Sequence, residues 1–365
     1  MLQLPALHPR TPTLKIALLA RRLLRPVLDP YRRYRHARYI HAVRVAFGLL
    51  ASILITATLK LPHSEWASVT MLIVMGGLQH HGNIGKKCIE RTYGTLIGAA
   101  LGLAVVAQQD YFGMTLFTYS LMSSICGFFA YHAIGRGGYT ALLSAITLFI
   151  VAGHGNNPLV DGLWRTVDIF IGIALALAFS FALPLYAVYS WRYNLAKGLR
   201  DCAAVHKRIL NGLPVNSDEH LKLTSGLTAV LVQLRSLMPS VSKEVGISTH
   251  QLNAIQDHLR LCISTLEILS STRPDVRDTE ALAAWQKSLG ADHPQISRLL
   301  IGAARALKAG SVERLDKQPE IPANAPAASR GQVALIGQHL LTITLLENVA
   351  ALQRKLFSTA PKWKI

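Results

Sequence analysis

Val167-Asp168-Ile169-Phe170-Ile171-Gly172-Ile173-Ala174-Leu175-Ala176-Leu177-Ala178-Phe179-Ser180-Phe181-Ala182-Leu183-Pro184-Leu185-Tyr186-Ala187-Val188 holds a single charged side chain, Asp168, in 22 residues. A helix needs about 20 largely apolar residues to cross the roughly 30 Å hydrocarbon layer of a bilayer. This stretch meets that length, and so do Val43 to Leu61 and Met114 to Ala133. Trp66 to Leu78, Thr92 to Ala107 and Tyr139 to Gly153 are shorter. Each is either re-entrant or a span completed by flanking polar residues such as Gln79, His80 or Arg91, and we take all three as spans.

The whole chain carries the same mark. It has 365 residues, 51% hydrophobic and 16% charged, with a mean hydropathy of +0.31, whereas an average soluble domain is about 25% charged. Its net charge of +18 does not point to nucleic acid, because ten of the 38 basic residues lie between Arg10 and Arg44, just before the first apolar run. A juxtamembrane basic cluster binds anionic lipid and sets orientation. No nucleic-acid-binding pattern accompanies the charge. The segment Leu14 to Leu28 is interrupted by Arg21, Arg22 and Arg25, so we read residues 1–40 as an interfacial amphipathic helix or a basic arm and not as a cleaved leader. The four cysteines (Cys88, Cys126, Cys202, Cys262) form neither a CxxC nor a metal-ligand spacing. They read as reduced thiols.

Counting basic residues gives the expected topology. With the N-terminus inside, the loops around Lys86, Lys87 and Arg91 and around Arg136 are cytoplasmic, and only Lys60 and Arg165 lie near outer boundaries. Six spans over residues 41–189 return the chain to the cytoplasm, where Arg192, Lys197 and Arg200 follow at once. From residue 190 to 365 apolar residues recur at helical spacing. Leu252, Ile255, Leu259, Ile263, Leu266 and Leu269 make one stripe of a helix over Thr249 to Ser271. Further helices are expected over Trp191–Leu210, Asp218–Leu237, Thr279–Leu289, Pro294–Ala309 and Gln332–Leu356, with an exposed connector at Gln318–Ser329. The expected fold is all-α: six transmembrane helices followed by a cytoplasmic helical bundle.

Within the membrane part, two segments resemble each other. His81-Gly82-Asn83 precedes Arg91-Thr92 and Gly98, and His154-Gly155-Asn156 precedes Arg165-Thr166 and Gly172, with seven positions between Arg and Gly in both. Each links the second and third spans of a three-span unit. Three is odd, so the second unit enters from the opposite side, which makes an inverted-topology repeat of the kind that places substrate near the midplane of secondary transporters.

At these residues the chain resembles the fusaric acid resistance and aromatic acid exporter family of bacterial inner-membrane proteins. The likeness rests on Glu65-Trp66-Ala67-Ser68-Val69-Thr70, opening the second span, and on Arg91-Thr92-Tyr93-Gly94-Thr95 with Gly98 and Gly102 along the third. It covers Tyr39 to about Val188 and continues more weakly beyond. The resemblance implies proton-driven efflux of small organic anions, typically aromatic carboxylates. The larger exporters carry two membrane units and two cytoplasmic domains where this chain has one of each, and a homodimer or higher cyclic oligomer would restore the complement.

Ionisable groups in a membrane helix cost roughly 2.5 to 3.5 kcal/mol each, so they persist where they pair or act. Asp168, three residues after Arg165, is either a proton-accepting carboxylate or half of a structural Arg165–Asp168 pair. Arg91 offers a planar fork to a carboxylate, unless it only sets topology or pairs with Glu90. His80, His81 and His154 titrate near physiological pH. The candidate transport and substrate-binding residues are thus Arg91, Arg165 and Asp168, with His81 and Asn83 in the repeated signature and Glu65 and Trp66 at the outer end of the second span. Trp66 alternatively serves as an interfacial anchor. Gly94, Gly98 and Gly102, four apart, form a close-packing helix face. No Walker motif, nucleophile elbow or metal-ligand cluster is present, so no catalysis, metal or cofactor is expected. An anion channel, or a membrane scaffold or sensor with a partner-binding bundle, are the rival readings.

Overall fold

The computed structural model describes residues 29–76, 81–135, 137–153, 155, 158–182, 184–211, 218–272, 279–280, 283, 293–311, 315 and 333–363. The basic segment before Asp29, His80, Arg136, His154, Asn156, most of Thr279–Leu289 and the connector Gln318–Ser329 lie outside them, as does the side chain of His81. The chain divides into two compact units, Met1–Leu185 and Tyr186–Ile365.

The first unit opens with α1 (Pro30–Arg35), whose N-cap Asp29 accepts a hydrogen bond from the Tyr31 backbone N–H at 3.1 Å. There follow α2 (Ala37–Thr58), α3 (Glu65–Met75), α4 (His81–Phe112), α5 (Thr115–Ala133), α6 (Gly138–Ala152) and α7 (Leu159–Ala182). Their packing is the reverse of a water-soluble bundle. Helix α2 buries Arg44, Gly48, Ser52 and Thr56, one per turn, while Phe47 (61% exposed) and Leu54 (55%) face outward. Ile89, Leu96, Leu116 and Phe128 are exposed in the same way on α4 and α5. An outward surface of this kind is stable only where the surrounding solvent is itself apolar.

Helix lengths depart from the sequence-based spans. The expected sixteen-residue third span is a helix of 32 residues, about 48 Å long at 1.5 Å per residue. It is longer because Lys86, Lys87, Gln108 and Gln109 end the hydropathic run without ending the helix. His81-Gly82-Asn83 therefore opens α4 and is not a loop, whereas Gly155 lies between α6 and α7 with φ +86°. Among the described residues, three helices are long and apolar enough to cross a membrane: Ala37–Thr58, Gly85–Phe112 and Leu159–Ala182. Helix α5 has 19 residues but is diluted by Ser120, Ser123 and Ser124. Helices α3 and α6, of 11 and 15 residues, reach only about 16 and 22 Å.

Helix α4 lies along α6, and α3 along α7; α4 and α7 also meet each other. Around them α2 packs on α3 and α7, α5 packs on α6 and α4, and lighter contacts join α6 to α7 and α3 to α4.

The second unit is built in the ordinary sense, apolar inside. It comprises α8 (Ala187–Leu210), α9 (Asp218–Val245), α10 (Thr249–Ser271), α11 (His293–Ala309), α12 (Val333–Thr359) and a 3₁₀ turn, Ala360–Trp363. Helix α8 is its axis, packing on α9, α10 and α11, while α12 closes over α10 and α11. Leu252, Ile255, Leu259, Ile263, Leu266 and Leu269 all lie in the core, as their spacing predicts. Helix α9 continues past the expected stop at Leu237 and runs through Pro239 to Val245.

Candidate functional site

The close crossings of α4 and α7 position the polar groups of the first unit. A Cβ on Gly98 would lie 2.4 Å from the Ser144 carbonyl oxygen and 2.7 Å from Thr147 Cβ; one on Gly172 would lie 2.4 Å from the Ala67 carbonyl oxygen and 2.9 Å from Thr70 Cβ. Hydrogen at these two positions lets α4 settle on α6 and α7 on α3. Gly94 and Gly102 extend the first contact, against Leu143 and Val151. The glycine face is thus occupied within the chain.

Arg91 of α4 is fully buried. Its Nη2 donates to Thr70 Oγ1 of α3 at 3.3 Å, and its Nε and Nη1 find no acceptor among the described residues. The expected alternative partner, Glu90, is instead 3.5 Å from Lys86. Tyr139 of α6 is the group that acts electrostatically on Arg91. Thr95 on α4 and Thr147 on α6 are also buried, with hydroxyls that have no partner among the described residues.

Asp168 of α7 is also fully buried, and neither of its carboxylate oxygens meets a donor among the described residues. The structural Arg165–Asp168 pair does not form. Arg165 Nη1 instead donates to the Ile150 carbonyl of α6 at 2.7 Å, because three residues along a helix bring side chains to one face without obliging them to turn toward each other. The charged groups acting on Asp168 come from the start of α3: Glu65, and His63, which lies 3.9 Å from Glu65 and 3.6 Å from Asp161. Trp66 packs against the cluster of Met71, Ile169 and Ile173.

Arg44 escaped the sequence reading, where it counted with the juxtamembrane basic cluster. It is 1% exposed, with Nη2 3.0 Å from His41 Nδ1. Its four-residue spacing from Gly48, Ser52 and Thr56 was the available signal: in a membrane helix the small and polar stripe faces the protein. Asn83 sits in the first turn of α4, half-buried. The interior of the first unit thus holds two buried cations, Arg44 on α2 and Arg91 on α4, and one buried carboxylate, Asp168 on α7.

Comparison with known proteins bears on this arrangement. Residues 50–179 match the model of a family described as fusaric acid resistance protein-like. The chain is also 30% identical over 291 residues to the inner membrane protein YeeA of Escherichia coli (strain K12), covering 78% of this chain and 81% of that protein. The chain belongs to the fusaric acid resistance protein-like family. The family match spans α3 to α6 whole, with the C-terminal part of α2 and most of α7, and so includes Arg91, Arg165 and Asp168. Since 291 residues exceed either compact unit, the likeness to the Escherichia coli protein continues from one unit into the other.

Proposed function

We propose that this protein is a carrier that exports small organic anions, aromatic carboxylates foremost, across the bacterial inner membrane at the expense of the proton gradient. The observation that carries the reading is the Arg91 guanidinium, sealed inside the apolar unit with Nε–H and Nη1–H unused. A guanidinium edge matches a carboxylate in a bidentate pair, and a buried cation left uncompensated is costly. Asp168 supplies the second function. A buried carboxylate with no hydrogen-bond donor among the described residues must take up a proton, a cation or a solvent path when the site changes access. Family membership and an inner-membrane relative support the location and the transporter character.

In this reading the first unit is two inverted three-helix repeats, α2–α4 and α5–α7. Exchanging α2 with α5, α3 with α6 and α4 with α7 carries each packing partnership among them into another of the set. Gly98 on Ser144 and Thr147 then corresponds to Gly172 on Ala67 and Thr70, and Arg91 to α3 corresponds to Arg165 to α6. The two short helices, α3 and α6, occupy matching places, and short segments at corresponding positions of two halves point to the binding site. Both termini and the second unit face the cytoplasm, the basic N-terminal segment lies on anionic lipid, and the working unit is a homodimer or a higher cyclic oligomer.

Proteoliposomes loaded with radiolabelled benzoate test the transport claim. Imposing a pH gradient should drive benzoate against its concentration gradient. Movement that ignores the pH gradient would make the protein a channel, and no movement would make it a scaffold or sensor.

A further inference from the structure

We propose that the groove between α8 and α11 of the second unit is a binding site for an organic anion with an apolar, ring-sized body. The groove encloses a cavity of about 500 Å³ and continues into a smaller one of about 390 Å³ at the start of α11, a size suited to small molecules. Arg200 and Lys207 stand on one wall and Arg305 and Lys308 on the other, all exposed; Arg298 prolongs the second wall. Seven residues separate Arg200 from Lys207 and Arg298 from Arg305, two helical turns in each case, so each wall is a rail of positive charge about 10 Å long. Among the described residues no carboxylate lines either cavity; Asp201, which acts on Lys197 and Arg200, lies outside the lining.

The floor between the rails is apolar, formed by Ala203, Ala204, Ile301 and Ala304. Its one hydroxyl, on Ser297, is 3.2 Å from His206 Nδ1. Like charges facing each other across a gap repel, and an anion between them removes the penalty. An inorganic anion would satisfy the rails and leave the alanine floor wet. A phospholipid headgroup would leave its acyl chains outside a cavity this short. A carboxylate on the arginine forks with its rings on the floor uses both.

This site is separate from the membrane interior and stands whether or not the protein transports. Equilibrium dialysis of the full chain in a neutral maltoside detergent, with radiolabelled 2-naphthoate and empty micelles as blank, tests it. Arg200→Gln/Arg305→Gln should weaken binding at least tenfold, and Ala204→Leu, which fills the floor without changing charge, should weaken it as well. Arg91→Ala should leave that binding class in place, which separates the groove from the membrane site. Unchanged binding in both groove variants, with melting curves like the parent's, would overturn the proposal. So would displacement of naphthoate by equimolar sulfate, or by phosphatidylglycerol more strongly than by unlabelled naphthoate.

Discussion

Arg91 and Asp168 are both sealed from solvent, yet they differ in what they can exchange. Arg91 has two N–H groups without an acceptor among the described residues; in the proposed function they meet the anion, and a charge-assisted hydrogen bond contributes roughly 1.5 to 3 kcal/mol, or about one to two powers of ten in affinity. Arg91→Ala should therefore weaken substrate binding by that factor in driven uptake and in counterflow alike. Asp168→Asn should abolish uptake driven by a proton gradient yet leave counterflow near wild type, because exchange moves no net proton. Equal loss of both activities in a folded Asp168→Asn protein would reduce Asp168 to a structural role. Arg192 in the second unit is a different kind of buried cation. Its Nε and Nη2 donate to the Leu307 carbonyl at 3.1 and 2.7 Å, its Nη1 to the Trp363 carbonyl at 2.9 Å, and the rings of Tyr189, Tyr193 and Trp363 surround it. Burial lowers its pKa, while Tyr193 and Tyr189 oppose the shift. It ties the end of α11 and the C-terminal turn to α8. Arg192→Met should cost the second unit about 3 kcal/mol, since it strips three charge-assisted bonds and orphans two carbonyls. Arg192→Lys should restore little, having no fork. The buried Cys202 and Cys262 thiols are the gauge: burial pushes Cys262 up to about 12 and Cys202 well above its ordinary value. Maleimide should label them only as the unit opens, at lower denaturant in the variant.

At the scale of elements, apolar side chains cannot drive helices together in lipid, where they are equally well solvated outside. Close backbone approach takes over. Gly98 and Gly172 are the tightest points of the α4–α6 and α3–α7 contacts. Gly98→Ala and Gly172→Ala should each lower the detergent melting temperature, by an overpacking penalty of about 1 to 3 kcal/mol. Gly127→Ala on α5 is the control, because nothing lies within 4 Å of its added Cβ, and it should be neutral or slightly stabilising through helix propensity. A loss at Gly127 equal to that at Gly98 would mean that α5 is covered by another copy of the chain.

At the scale of the whole molecule, charge asymmetry and span number determine sidedness. An odd number of crossings would put Arg192, Lys197 and Arg200 outside, against the positive-inside bias. A reporter enzyme fused after Ile365 should be active only in the cytoplasm, and periplasmic activity would remove the topology together with the inverted repeat. Native mass spectrometry from a mild detergent should give a dimer or a higher closed ring. A strictly monomeric protein that still transports would remove the oligomer.

Residue order alone determined which stretches leave water and which fold in it. The run through Asp168 and the stripe from Leu252 to Leu269 are patterns along a single helix, and the solvent preference of each side chain decides them. Helix ends were less legible: α4 outran its apolar run because helix formation does not require hydrophobicity, and it took the His81 signature into its first turn. Partnership was the part only the tertiary structure decided. Arg165 turns to Ile150 rather than Asp168, Arg91 to Thr70 rather than Glu90, Arg44 leaves the basic cluster for the interior, and α8 meets α11 to form a cationic groove. Each of these depends on which helix lies opposite, which in the first unit is set by glycine-sized crossings between segments far apart in the chain that no local pattern records.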